Sequence, residues 1–132
     1  MQITRETDYA LRCVNYLVEK SGTITMVDEI ANEMRIPKSF LAKILQKLNR
    51  ASIVKSHRGV RGGFELARLP KEITLLDVVE AVEGPVAMNL CAIDPTVCGL
   101  SKKCSIHPVW IEVRKEVEKI LRKKNFEKLR AS

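Results

Sequence analysis

The stretch MVDEIANEMRIPKSFLAKILQKLNR constrains the fold more than any other part of the 132-residue chain. Two helical periodicities flank Pro37: Val27, Ile30, Ala31 and Met34 before it, and Phe40, Leu41, Ile44 and Leu48 after it, with Leu45 at one edge. Proline steers Ile36 away from helical geometry, so the pattern predicts two short helices joined by a turn. Asp28 and Glu29 lie near the start of the first, as the helix dipole prefers. The second runs from about Lys38 to Arg50. A rotation of about 100° per residue gathers Ser39, Ala42, Lys43, Gln46, Asn49 and Arg50 on its polar side.

Upstream, Ala10, Leu11, Val14, Leu17 and Val18 recur at helical spacing between Thr4 and Glu19. Cys13 sits at the edge of that stripe as a small core hydrophobe. Asp8 and Arg12 lie on the opposite face, one turn apart, where they form a surface ion pair. Downstream, SIVKSHRGVRGGFELARLP contains two short strand patterns, Ile53-Val54 and Phe64-Glu65-Leu66, with RGVRGG supplying the turn and His57 in a strand. The glycines let the backbone come close to a groove or phosphate. Two helices, a tight turn and a basic-tipped hairpin predict a mainly α, winged helix-turn-helix fold. ITLLDVVEAVEGP is a further helix with Thr74 as its N-cap and Gly84-Pro85 as its stop, expected to pack under the wing. The last helix begins near Ile106 and tolerates Pro108 in its first turn. Along it Ile106, Trp110, Val113, Val117 and Ile120 form a seam of period 3.5, which an identical helix in a homodimer would cover.

The expected organisation is a winged helix-turn-helix unit over 1–84, a cysteine-rich loop over 85–105, and a long dimerisation helix with a C-terminal tail over 106–132. Charge follows these divisions. The net charge is +7, yet residues 35–71 alone carry +9, with ten cations against Glu65, while 1–34 and 72–104 each sum to −3. A localised positive field suits a polyanion, and double-stranded DNA is the expected partner. Lys38, Ser39, Lys43, Gln46, Lys47 and Arg50 on the helix, and Arg58 and Arg61 on the wing, are the candidate contacts. Glutamine can bridge adenine, and the cations can reach base edges or phosphates. A winged helix that binds only protein would not need the +9 segment.

No apolar run reaches bilayer length, and MQITRETDYALR carries charge where a signal peptide needs an apolar core, so the expectation is a cytoplasmic protein. In that reducing compartment the four cysteines are thiols, metal ligands or redox groups and not a disulfide framework. No C-x-x-C pair, nucleotide loop or paired carboxylate supports an enzyme, and no small-molecule substrate is expected.

TDYALR, IPKSFLAKILQKLNRASIVKSHRGVRGGFELAR, ITLLDVVEAVEGP and the three loop cysteines together resemble the Rrf-two family of bacterial winged-helix regulators. The resemblance covers nearly the whole chain. It implies a homodimeric transcriptional regulator on a pseudo-palindromic operator, with the last long helix crossing to the partner subunit. It also implies that Cys91, Cys98 and Cys104 hold an iron-sulfur cluster that senses iron-sulfur status, redox state or nitric oxide. For the fourth ligand, His107 resembles that of the family's 2Fe-2S branch. Asp8 resembles the acidic ligand that the 4Fe-4S, nitric-oxide-sensing branch brings from the other subunit's first helix. One departure is Ala42, which stands where some relatives place an operator-discriminating glutamate and cannot accept a hydrogen bond from cytosine.

The loop itself is compatible with a cluster. Its C-x6-C-x5-C spacing gives each sulfur slack to face one centre. Lys102, Lys103 and the amides opening the last helix would favour thiolates and offset the cluster's charge. A structural Cys₃His zinc site and a thiol redox switch are the alternatives.

Overall fold

A computed structural model describes residues 2–131. The elements in chain order are α1 (Arg5–Glu19), α2 (Val27–Met34), α3 (Lys38–Arg50), β1 (Val54–His57), β2 (Gly63–Leu66), α4 (Leu75–Glu83), α5 (His107–Lys123) and α6 (Phe126–Ala131). Short 3₁₀ turns lie at Pro70–Glu72, Leu90–Ala92 and Pro95–Val97.

α1 is the pillar of the core. Thr4 caps it, its Oγ1 accepting from Thr7 N at 3.2 Å, and Ala10, Cys13, Val14, Leu17 and Val18 form its buried face. Cys13 is a core residue, and burial pushes its thiol up to about 12. α2 ends where the sequence requires a turn, with Arg35 in the left-handed region at φ 54°. Ile36 N then bonds back to Ala31 O at 3.0 Å while its side chain enters the core. This is the closure of a Schellman-type helix end, and it sets the angle at which α3 leaves. α3 buries Leu41, Ile44, Leu45 and Leu48. Phe40, expected inward, is 41% exposed and meets Tyr9 edge-on at 5.7 Å instead.

β1 and β2 pair antiparallel with Lys55 opposite Glu65 and His57 opposite Gly63. A third piece of backbone joins them, because Thr25 exchanges two hydrogen bonds with Phe64 at 2.8 and 2.9 Å. That pairing explains two glycines. A side chain on Gly63 would overlap the Thr25 carbonyl, and one on Gly62 would overlap the His57 carbonyl. Their close approaches are internal to the wing and not reserved for a ligand.

α4 carries the expected cap in its complete form, with Thr74 Oγ1 accepting from Asp77 N and Asp77 Oδ2 accepting from Thr74 N. Its expected place under the wing is corrected by the structure. α4 packs on α1 and α3, because its Val78 and Val82, with Leu75 and Ala81 packed beside them, complete the apolar cluster begun by those helices. Glu83 fastens the contact. Its Oε1 accepts from Thr4 N at 2.9 Å, Thr4 Oγ1 at 2.8 Å and Thr7 Oγ1 at 2.6 Å. Burial pushes this carboxyl up, but the threonine hydrogen bonds outweigh it and hold the group below the ordinary glutamate range.

α5 begins where expected, with Pro108 in its first turn, and buries none of its residues fully. The chain then returns to the core, which the sequence pattern does not announce. Phe126, at the start of α6, is 1% exposed, its N donating to Ile73 O at 3.1 Å, and Leu75 N donates to Lys124 O at 2.8 Å. The segment expected as a tail therefore closes the bottom of the helical core. Among the described residues no helix is long and apolar enough to cross a membrane.

Candidate nucleic-acid interface and cysteine segment

The turn at Arg35 and the buried row of α3 fix which side of that helix meets solvent. Ser39, Lys43, Gln46 and Arg50 are exposed there, and their side chains have no hydrogen-bond or ion-pair partner among the described residues. Lys38 pairs with Asp28 at 2.9 Å, both side chains 65% exposed. Such a pair is worth little and is readily exchanged for a phosphate. Lys47 differs. Its ammonium meets Glu6 at 2.9 Å and the Val82 carbonyl at 3.4 Å, so it ties α3 to α1 and α4.

The wing presents Arg58, just before, and Arg61, within, a tight turn closed by Gly62 N donating to Gly59 O at 2.9 Å, both exposed cations without a partner among the described residues. Gly59 takes φ 109°, a conformation that favours glycine. Behind the tip, His57 is a strand residue whose Nε2 donates to Glu65 Oε1 at 2.9 Å, and Lys55 reaches the same oxygen at 3.3 Å. The His57 hydrogen bond, aided by Lys55, holds the Glu65 carboxyl below its ordinary range.

The segment over 85–105 has little regular structure. The turn Leu90–Ala92 carries Cys91, half-buried, with its Sγ 3.4 Å from Asn89 Oδ1. Asp94 organises the next turn by accepting from Thr96 N at 3.0 Å and Thr96 Oγ1 at 2.6 Å, and these bonds lower its carboxyl pKa. Cys98 is exposed and Cys104 half-buried. All are free thiols. Ser101 Oγ and His107 Nδ1 are buried without a hydrogen-bond partner among the described residues. Among the described residues no three His, Cys, Asp or Glu side chains stand where one metal ion could be held. Asp8 is exposed on α1 and bound to Arg12 at 2.8 Å.

Two groups lay outside the sequence reading. Arg114 on α5 donates through Nη1 to Ala92 O at 2.8 Å, joining the helix to the cysteine segment, while its Nε donates to Glu118 at 2.8 Å. The four-residue spacing of Arg114 and Glu118 is a legible helical ion-pair signal. Thr25, the wing's third pairing residue, has no such local signature.

The sequence matches the Rrf2 family, described as an iron-dependent transcriptional regulator, over residues 3–132. A helix-turn-helix-type transcriptional regulator of Aquifex aeolicus is 33% identical over 112 residues, covering 83% of this chain and 78% of that one. Protein aau3 of Rhizobium meliloti is 41% identical over 91 residues, 69% of this chain and 59% of its own length. The transcriptional regulator NsrR of Bacillus subtilis is 34% identical over 109 residues, 76% of this chain and 74% of that one. Among solved structures, CymR, the global cysteine regulator of B. subtilis, superposes with a TM-score of 0.77 at 28% identity, over 98% of this chain and 95% of that one. T. potens IscR shares the fold with a TM-score of 0.75 at 23% identity, over 98% and 85%. Relatives bearing the name of transcriptional regulators, a winged helix-turn-helix frame and an unpaired cationic face lead to one assignment: the chain belongs to the Rrf2 family of DNA-binding transcriptional regulators, which are not enzymes.

Proposed function

We propose that this regulator works as a homodimer on a pseudo-palindromic operator and that Cys91, Cys98 and Cys104 form its sensing element by holding an iron-sulfur cluster. The observation that carries the reading is the concentration of three free thiols and an unpartnered, buried His107 Nδ1 within one segment of 17 residues. A ring nitrogen buried without a partner is costly, and metal ligation is one way to satisfy it. Thiolate sulfur and imidazole nitrogen fit an iron-sulfur centre in kind and in number.

The single chain does not gather these donors, so the segment has to contract around a centre. Its 3₁₀ turns, held by few side-chain bonds, allow that movement. Cys91, Cys98 and Cys104 would be the thiolate ligands, with the fourth place taken by His107 or by Asp8 of a second copy of the chain. Lys102 and Lys103 are exposed beside the thiols and lower the cost of concentrating negative charge there. A bound cluster supplies a centre that oxygen or nitric oxide can alter. The rest of the action belongs to the chain: Gln46 and Ser39 read base edges, while Lys43, Arg50, Arg58 and Arg61 hold phosphates.

A thiol switch is the second reading, favoured by the same dispersed geometry, since oxidation chemistry at a thiol needs no three-ligand convergence. Anaerobic purification followed by iron, sulfide and zinc determination and visible spectroscopy separates them. Iron and acid-labile sulfide, with absorbance lost on replacing Cys98 by Ser, are expected. A colourless protein with one zinc per chain leaves a structural site. A metal-free protein whose operator affinity follows thiol oxidation leaves the switch.

A further inference from the structure

We infer that Arg114 couples the cysteine segment to the dimerisation helix, so that movement of the turn holding Cys91 is passed into α5. The inference rests on the reading of that segment as the sensor. Among the described residues, Arg114 makes the one side-chain hydrogen bond between residues 85–105 and α5, from Nη1 to Ala92 O. Each end of this link is stiff. At the helix end, Nε is pinned to Glu118 Oε1 at 2.8 Å, and Glu118 Oε2 meets Arg122 at 3.6 Å. At the other end, Ile93 N and Asp94 N both donate to Leu90 O, at 3.0 and 2.9 Å, closing a turn in which Cys91 directly precedes Ala92.

Ala92 is 2% exposed, so its carbonyl cannot exchange the guanidinium for water without the turn opening. When the Cys91 sulfur is drawn toward a centre or displaced by modification, the Ala92 carbonyl moves with it. The guanidinium then either drags α5 or loses a charge-assisted bond. Elsewhere α5 is loosely seated. A cavity of about 290 Å³ lies between it and α4, lined by Val79, Val86, Met88, Val117 and Leu121 among others. A helix with slack on that side can shift as a rigid body, and Arg114 is placed to set where it rests. The same guanidinium is a positioning group and touches no reacting atom.

The test uses the full chain carrying Cys98→Ser and Cys104→Ser, which leaves Cys91 as the accessible thiol because Cys13 is fully buried. Alkylation with iodoacetamide displaces the Cys91 turn without needing any metal. Amide exchange across α5 and affinity for a duplex recovered from a randomised pool are then compared before and after alkylation, in this parent and with Arg114→Gln or Arg114→Lys added. The expected result is a several-fold change in affinity with altered exchange in α5 of the parent, no change with Arg114→Gln, and a partial response with Arg114→Lys. An undiminished response with Arg114→Gln overturns the inference, as does a parent in which alkylation leaves α5 and affinity unchanged. A lower Tm for Arg114→Gln with the affinity ratio preserved also overturns it, because that is a purely structural role. An iron-free wild-type protein defeats the cluster reading separately, since the alkylation response and its dependence on Arg114 stand without a cluster.

Discussion

Four of the ten cations in the basic block are held by carboxylates of the same chain: Lys38 by Asp28, Lys47 by Glu6, Lys55 by Glu65 and Arg68 by Asp77. Arg68 also donates to the Ser52 carbonyl at 3.2 Å, which makes it a brace for the hairpin. The field offered to DNA is therefore concentrated on Lys43, Arg50, Arg58 and Arg61, joined by Arg35 and Lys71 at its margins and by Lys38 when its exposed pair with Asp28 is exchanged for a phosphate. Replacing Arg58 or Arg61 with Ala is expected to weaken binding to random and selected duplexes alike. The slope of log K against log salt should fall by about 0.9 for each phosphate contact removed. A loss confined to one sequence, with the slope intact, would assign the side chain to a base edge instead. Glu65 gives a second residue-scale outcome. Its folded-state pKa is depressed by the His57 hydrogen bond, so its contribution is complete above the unfolded glutamate value of about 4.3 and lost as pH falls through the lower folded value. The protection of the β1 and β2 amides, relative to the intrinsic exchange rate at each pH, should fall in that acid window, and Glu65→Gln should flatten the dependence. An acid limb unchanged by the substitution would place the titrating group elsewhere.

At the scale of elements, α6 shows how much a short segment can hold. Among the described residues Phe126 is the largest fully buried side chain, and its backbone, with that of Lys124, pairs with Ile73 and Leu75 at the entry to α4. Phe126→Ala should cost about 3–5 kcal/mol in denaturant unfolding, within the usual range for a buried aromatic. A cost below about 1 kcal/mol would mean that α6 is dispensable for the core. The sequence hid this helix for a physical reason. KKNFEKLRA offers one strong apolar anchor, too few residues for a period, and its stabilising partners, Ile73 and Leu75, lie about fifty positions away. Features set by neighbours were legible. Pro37 marked the helix-turn-helix corner, Thr74 marked the cap of α4, and the glycines of RGVRGG placed the hairpin. The partner of an apolar face was not legible, because periodicity says that α4 must bury a stripe without saying against what. The engagement of Lys47 and the Thr25 bridge were missed for the same reason. In the candidate site, the outward row of α3 followed directly from helical rotation. For the thiols, loop spacing permits convergence and does not compel it, and the single chain holds them in separate turns.

For the whole molecule, the decisive quantity is the uncovered row on α5. This helix of 17 residues, about 25 Å long, leaves Ile106 57% and Ile120 58% exposed, with Trp110, Val113 and Val117 only half-buried between them. Val109, 49% exposed, lies beside it, while Glu112, Lys115, Lys119, Arg122 and Lys123 carry charge on the opposite side, so the row is a stripe and not scattered apolar exposure. A second copy would present the same stripe, and the two-fold pairing proposed above would bring two α3 helices and two wings onto one duplex, where half-sites recur about 34 Å apart. Linking two heads converts the second contact into an intramolecular event, which raises operator affinity by about 10²–10⁴ over one head alone. Introducing Val113→Glu together with Ile120→Glu places charge in the seam, away from the cavity between α5 and α4, and burial of that charge against a second copy without a partner is strongly unfavourable. The double variant is expected to sediment as a monomer while keeping its helical circular dichroism, because neither position belongs to the buried core. It should lose about 10²-fold or more in affinity for a two-half-site duplex and little for a single half-site. If the monomeric variant binds the two-half-site duplex as the wild type does, one head suffices, and any signal from the cysteine segment has to reach DNA without passing through the pairing of α5.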